Sequence, residues 1–249
     1  MTVCELYDFL NEYCPFSLAE EWDNPGLNVG RRQKKVERVL VALDVTMETI
    51  EAAKAMNADL IITHHPLIFD PPRAINDDTA DGARILALAE SGMAHIACHT
   101  NLDAAQGGVN DCLAAVCGLT EIEPLGNLAR IGKTETTLSA LAAKLKKELP
   151  AENCIGVCCH EKVEKVAVVG GSGGSLLEEV AEAGCDTFVT GEVKYNYLLT
   201  ARQLGLNVLV LGHYETEYIV LAPLAEALKK AFPALEVAVL PRKSPMECF

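Results

Sequence analysis

Two adjacent histidines, His64 and His65, followed at once by Pro66, are the residues of this chain best placed to do chemistry. They close the stretch Ala58-Asp-Leu-Ile-Ile-Thr63, whose apolar, β-branched end reads as a short buried strand rather than a helix. A strand buried on both faces predicts a parallel sheet, and the carboxyl edge of such a sheet is where open α/β folds place ligands. Pro66 offers no backbone donor and biases His65 towards extended backbone, so no helix begins there. Neighbouring imidazoles on extended backbone point in opposite directions, which suits two metal ions better than one; solvated loop histidines are the alternative. Other strand ends carry further polar groups. A strand expected over 94–98 runs into His99-Thr-Asn-Leu-Asp103, and one over 207–211 runs into Gly212-His-Tyr-Glu-Thr-Glu217. His213 and Glu217 are four apart, so a helical turn puts both on one face, able to share a metal or simply to form a helix cap. His64, His65, Asp103, His213 and Glu217 together offer three imidazoles and two carboxylates. That donor set suits Zn, Fe, Mn, Co or Ni better than Ca or Mg, and five ligands suit two bridged divalent ions.

The elements that must position these groups are legible from periodicity. An amphipathic helix is expected over 3–13, with Leu6, Phe9 and Leu10 on one face and Pro15 ending it. The following loop, residues 19–30, holds Trp22 and Asp23. They are either a pocket wall with its polar contact or a plug over the core, and composition favours the plug. A β-α-β unit follows, with a strand over 36–43, a helix over 48–56 and the strand that ends in His64-His65. A helix over 83–90 leads into the strand before His99, and Gly107-Gly108 opens a helix closed by Gly118. Pro124, Gly126 and Gly132 break the pattern, so the domain boundary is placed at 126: residues 1–126 supply His64, His65 and Asp103, and residues 127–249 supply His213 and Glu217. A helix is expected over 137–148, ended by Pro150.

Beyond the boundary the chain repeats itself. Val36-Glu37-x-Val39-x-Val41 matches Val163-Glu164-x-Val166-x-Val168, and at the same offset Glu51 meets Glu178, Asp59 meets Asp186 and Thr63 meets Thr190. Chance matching at this composition gives roughly two such identities in a window of that length. The fold class expected is therefore α/β, in two related domains, each a mainly parallel sheet flanked by helices. Gly191-Glu192 falls where the first half carries His64-His65. A helix over 197–204, the strand before His213, a helix over 221–231 and an edge strand over 235–240 complete the second domain. The run Gly170-Gly-Ser-Gly-Gly-Ser175 lies between a strand and a helix. It lacks the third glycine of a dinucleotide fingerprint and the Lys-Ser/Thr of a P-loop, so a tight turn is favoured over a phosphate cradle.

Composition narrows the function classes. Thirty-five acidic against 21 basic residues give a net charge of −14, which argues against a nucleic-acid partner. The N-terminus lacks a basic, then apolar leader pattern, and no run is long enough for a membrane span. Ten cysteines without Cys-x-x-Cys spacing read as reduced thiols of a cytoplasmic protein.

The motifs His64-His-Pro-Leu-Ile-Phe69, His99-Thr-Asn-Leu-Asp103, Gly107-Gly-Val-Asn-Asp111, Val189-Thr-Gly-Glu192 and Gly212-His-Tyr-Glu-Thr-Glu217 resemble those of the Ngg-one-interacting-factor-three-like family, many of whose members are labelled GTP cyclohydrolase I type 2. The resemblance runs from Trp22-Asp-Asn24 to Glu217, in the short form that lacks an inserted domain. It implies a dinuclear metal centre whose five ligands fall on His64, His65, Asp103, His213 and Glu217, with Glu217 as the bridge. It also implies assembly into a toroidal homohexamer with the metals facing an inner cavity. Asn196 departs from the pattern, since many relatives have His after the Lys-Tyr pair. Two functions follow as expectations. One is a metal-dependent hydrolase acting on a small molecule, a nucleotide by the family label, with His99 as orienter or general base and Asp44 as a pocket residue. The other is a non-catalytic metal carrier, regulator or scaffold. For His99 and Asp44 a hydrogen-bonded structural role is the alternative.

Overall fold

The computed structural model describes residues 1–247. In chain order its elements are α1 (Val3–Tyr13), β1 (Gly26–Val29), β2 (Arg38–Ala42), α2 (Met47–Ala55), β3 (Leu60–Thr63), α3 (Ala80–Glu90), β4 (Ala94–Ala97), α4 (Thr100–Ala104) and α5 (Val109–Cys117). They continue with β5 (Thr120–Leu125), β6 (Ala129–Thr137), α6 (Leu138–Glu148), β7 (Ile155–Val157), β8 (Lys162–Ser172), α7 (Leu177–Glu182), β9 (Thr187–Glu192), α8 (Tyr195–Leu204), β10 (Asn207–Val210), α9 (His213–Glu217), α10 (Leu221–Ala231) and β11 (Glu236–Val239). Two compact units result. The first holds Met1–Ala105 and Leu221–Arg242, the second Gln106–Val220 and, of the described residues, 243–247.

The first unit carries a five-stranded sheet in the order β1-β4-β3-β2-β11. Four of its strands are parallel, and β1 lies antiparallel on the β4 edge. Strands β2 and β3 are apolar on both faces, as a covered parallel sheet requires. One face packs Leu40 and Ile61 against Ile50 and Ala53 of α2 and Ile85 and Leu88 of α3. Helix starts are fixed by side chains. Thr2 and Glu5 form a reciprocal capping box on α1, while Thr46 and Thr79 cap α2 and α3.

In the second unit the order is β5-β6-β8-β9-β10-β7, with β8, β9 and β10 parallel. Alternation along β8 splits the core. Val166 and Val168 pack with Leu113 of α5 and Leu141 and Leu145 of α6, whereas Ala167 and Val169 pack with Leu177 and Val180 of α7.

The internal repeat is real in three dimensions. Val39 pairs with Leu60 in one sheet, and Val166 pairs with Thr187 in the other, the same register at the same sequence offset. Oδ2 of Asp59 accepts from the amides of Glu37 and Arg38 at 2.9 and 3.2 Å; Oδ2 of Asp186 accepts from those of Glu164 and Lys165 at 2.8 and 2.7 Å. This explains why Asp59 and Asp186 are identical: each carboxylate ties the loop before the central strand to the start of its neighbour.

Several expectations change. The last strand, expected to finish the second domain, pairs in parallel with β2 of the first sheet, Val237 against Val39. Its short apolar segment needs an open parallel edge, and β2 offers one. Relative to a division at 126, residues 106–126 fall in the second unit and Leu221–Arg242 in the first. The pattern break at 121–133 is a hairpin of β5 and β6, in which Pro124 is tolerated because β5 is an edge strand. Residues 26–29, read as loop, form edge strand β1. Every described cysteine is a free thiol. Among the described residues, no helix is long and apolar enough to cross a membrane.

Candidate metal centre

Strand β3 delivers the first two candidate ligands. The amides of His64 and His65 continue its ladder by donating to the carbonyls of Ala42 and Leu43, at 3.3 and 2.9 Å. The Thr63 hydroxyl donates to the His65 carbonyl at 2.6 Å, just before Pro66. The two rings do not diverge as extended backbone predicts. Their centroids lie 4.9 Å apart, and His99 joins them, with one ring nitrogen from each of the three lying within 4.8 Å of the others.

Each imidazole is fixed through Nδ1. His64 Nδ1 lies 2.9 Å from the Cys98 carbonyl oxygen, His65 Nδ1 2.8 Å from Asp44 Oδ1, and His99 Nδ1 2.8 Å from Asp23 Oδ1. With Nδ1 engaged on carbonyl or carboxylate, Nε2 is the nitrogen that would take a cation or a proton, the arrangement that metal-binding and proton-carrying histidines share. Asp103, on the one-turn helix α4 that follows His99, brings Oδ1 to 3.6 Å from Nε2 of His64. Three imidazoles and a carboxylate in one cluster fit a borderline divalent ion.

Asp23 is more than a contact. Its Oδ2 also accepts from the Thr100 amide at 3.0 Å and hydroxyl at 2.5 Å. Burial pushes its carboxyl up, but the bonds and charge of His99 and the bonds from Thr100 outweigh that and hold it at about 2. Trp22 is 57% exposed, so it is not a plug over the core; it meets His99 edge to face at 6.1 Å. Sequence patterns place Asp44 and His99 near the ligands, but the Asp23–His99 pairing is invisible in them. A cleft of about 800 Å³ in this unit opens beside His65, and its lining includes Asp44, Phe69, Arg73 and Arg84.

In the second unit the chain does turn helical at the strand end. On α9, Nε2 of His213 lies 3.1 Å from Glu217 Oε1, and Nδ1 lies 3.3 Å from Oε1 of Glu192. Glu192 is the position that repeats His65, so that strand end helps to hold a histidine instead of supplying one. The glycine run has a different use from phosphate binding. Strand β8 extends through it to Ser172, and the amides of Gly170, Gly171 and Gly173 donate to Asn110 Oδ1, Thr216 Oγ1 and Thr190 Oγ1 at 2.7, 3.0 and 3.1 Å. Gly171 has φ +60°, and a Cβ there would fall on Oε1 of Glu217 and lie 3.0 Å from Nε2 of His213. The glycines let the backbone approach the His213–Glu217 pair. Asn110 and Asp111 of the Gly107–Asp111 motif are likewise structural, bonding Gly170 and Arg130 respectively. Asn196 is exposed in the first turn of α8.

A two-unit α/β chain with histidine and acidic clusters at its parallel strand ends defines a class, and comparison with known proteins gives the family. The chain belongs to the Duf34/NIF3 (NGG1p interacting factor 3) family, whose profile matches residues 1–245. It is similar to the GTP cyclohydrolase 1 type 2 homolog of Clostridium perfringens, 33% identical over 92% of both chains. Among solved structures, it resembles the Staphylococcus aureus hypothetical protein SA1388, with TM-score 0.92, 28% identity and coverage of 100% of this chain and 99% of that one. A Bacillus cereus protein related to NIF3 matches with TM-score 0.90 and 25% identity, over 100% and 99% of the two chains.

Proposed function

We propose that this protein is a dinuclear-metal-dependent hydrolase of the GTP cyclohydrolase type, in which His64, His65, Asp103, His213 and Glu217 hold two divalent ions per chain and Glu217 is shared. The observation that carries the reading is the anchoring of Nδ1 on His64, His65 and His99, which fixes three imidazoles in one cluster beside a cleft. Bound ions would supply Lewis acidity and lower the pKa of a coordinated water towards neutrality. The chain's own residues have distinct tasks. Asp44 orients the His65 ring, and Asp23 holds Nδ1 of His99 so that its Nε2 is the atom that takes up or releases a proton. The cleft beside His65 would receive the substrate. A purine nucleotide, opened by hydrolysis of its imidazole ring, is the instance that the relatives' name supports.

The reading extends to assembly. A toroidal homohexamer in the cytoplasm is what the family resemblance implies, and light scattering that gives a stable monomer at micromolar concentration would count against it. The function itself is tested by elemental analysis after reconstitution with Zn, Mn, Fe and Co, followed by a turnover screen that includes GTP. Metal below a tenth of an ion per chain overturns the metal centre. Two ions without turnover of any nucleotide favours the carrier or scaffold reading instead.

A further inference from the structure

Large apolar side chains left in solvent normally stand alone, and a fixed cluster of them marks a contact surface. Trp22 and Phe69 are 57% and 45% exposed, yet their ring centroids lie 5.8 Å apart with the planes inclined at 46°, so a ring stacked on one meets the other at its edge. Each also meets His99 edge to face, at 6.1 and 6.2 Å, so the pair borders the histidine cluster directly. Their loops are not free to collapse. Asn24 Nδ2 donates to the Ile68 carbonyl at 2.6 Å, and Asn28 Oδ1 accepts from the Ile68 amide at 3.3 Å. Asn28 Nδ2 in turn donates to the Asn24 carbonyl at 3.1 Å, so side-chain amides cross-link the Trp22 loop to the Phe69 loop.

We infer that Trp22 and Phe69 form a stacking platform for a planar nitrogen-heterocyclic ring of the substrate. This rests on the proposed hydrolase reading and assigns the residues that hold the ring of its substrate. An aliphatic or peptide ligand would need a groove with walls on several sides. A flat ring needs only a rigid aromatic face, and such faces accept any heteroaromatic base. Phe69 also lines the cleft beside His65, so a ring stacked there has the imidazoles at its edge and room beyond for its substituents. The asparagine cross-links tie the two ring-bearing loops together before a ligand arrives.

Trp22 is the single tryptophan of the chain, which makes its emission a direct reporter of this face. Metal-free protein is titrated with guanosine, with ribose as a control that lacks the ring, and the titration is repeated after metal loading. Saturable quenching by guanosine but not by ribose is expected in both forms, and Phe69→Leu should weaken it about tenfold. Phe69→Leu should bind the same amount of metal as the unaltered chain. Absence of saturable quenching, or an emission that changes only on dilution because a second copy covers the rings, would overturn the platform. Failure to take up metal on reconstitution would sink the hydrolase reading, and saturable quenching in that same protein would leave the platform standing. Two bound ions with no quenching would do the reverse.

Discussion

Oδ1 of Asp23 lies 2.8 Å from Nδ1 of His99 across a sequence separation of 76 residues. This carboxylate–imidazole pair fixes the tautomer and aim of a ring that belongs to the candidate metal cluster, and the same carboxylate caps Thr100 at the start of α4. One side chain thus couples the loop after α1 to the turn that carries both His99 and Asp103.

Replacing that carboxylate should be costly in two ways. Asp23→Asn is expected to lower turnover about 100-fold with metal content unchanged, because it removes the partner that orients the proton-carrying His99 ring. It should also remove an acid-sensitive part of the stability. The folded carboxyl, near 2, lies below its unfolded value, so its contribution is present above about pH 4 and is lost as pH falls through 2. Denaturant unfolding of metal-free protein at pH 6 and pH 3 checks the sign. The unaltered chain should lose on the order of 1 kcal/mol more than the variant over that interval, because much of the contribution is still present at pH 3.

A second titration involves His95, fully buried on β4 with Nε2 2.7 Å from Thr63 Oγ1. Burial alone pushes its imidazole down to about 3, so it stays neutral where the unfolded chain would bind a proton. The unfolded state therefore takes up more protons between about pH 6.5 and pH 3, and folding weakens as pH falls through that window, by about 1.4 kcal/mol per pH unit. His95→Gln should flatten this slope. Parallel stability curves for the two proteins would rule the assignment out.

Glycine at 171 is set by the neighbouring acid. Gly171→Ala places a methyl group on Glu217 at a backbone with φ +60°. The left-handed conformation alone costs about 1–2 kcal/mol, and the displaced carboxylate should lower metal content as well. Unchanged metal stoichiometry in a folded variant would separate Glu217 from metal binding.

Glu217 and Asp103 should differ in their effects. If Glu217 is shared by both ions, Glu217→Gln weakens both, whereas Asp103→Asn chiefly loosens one. Metal analysis beside circular dichroism decides. Two tightly held ions in Glu217→Gln would remove the bridging role, and an unfolded variant would make Glu217 a structural acid.

Much of this was determined by sequence alone. Apolar strands Leu60–Thr63 and Ala94–Ala97 must be buried, so the polar residues that follow them, His64, His65 and His99, must stand at strand ends. The repeat between Val36 and Val163 likewise required two related sheets, and Asp59 and Asp186 repay the match with the same pair of hydrogen bonds. Other features are decided only by tertiary structure. Extended backbone predicts that His64 and His65 diverge, yet both rings lie beside His99, at a strand end further along the chain. Local pattern could not choose which sheet receives Glu236–Val239, because strand pairing depends on which edge is open. Nor could it assign Trp22, Asp23 or the glycine run, whose roles rest on contacts with His99 and Glu217 far along the chain. Periodicity reports which face of an element is buried; the partner that buries or binds it is a property of the folded chain.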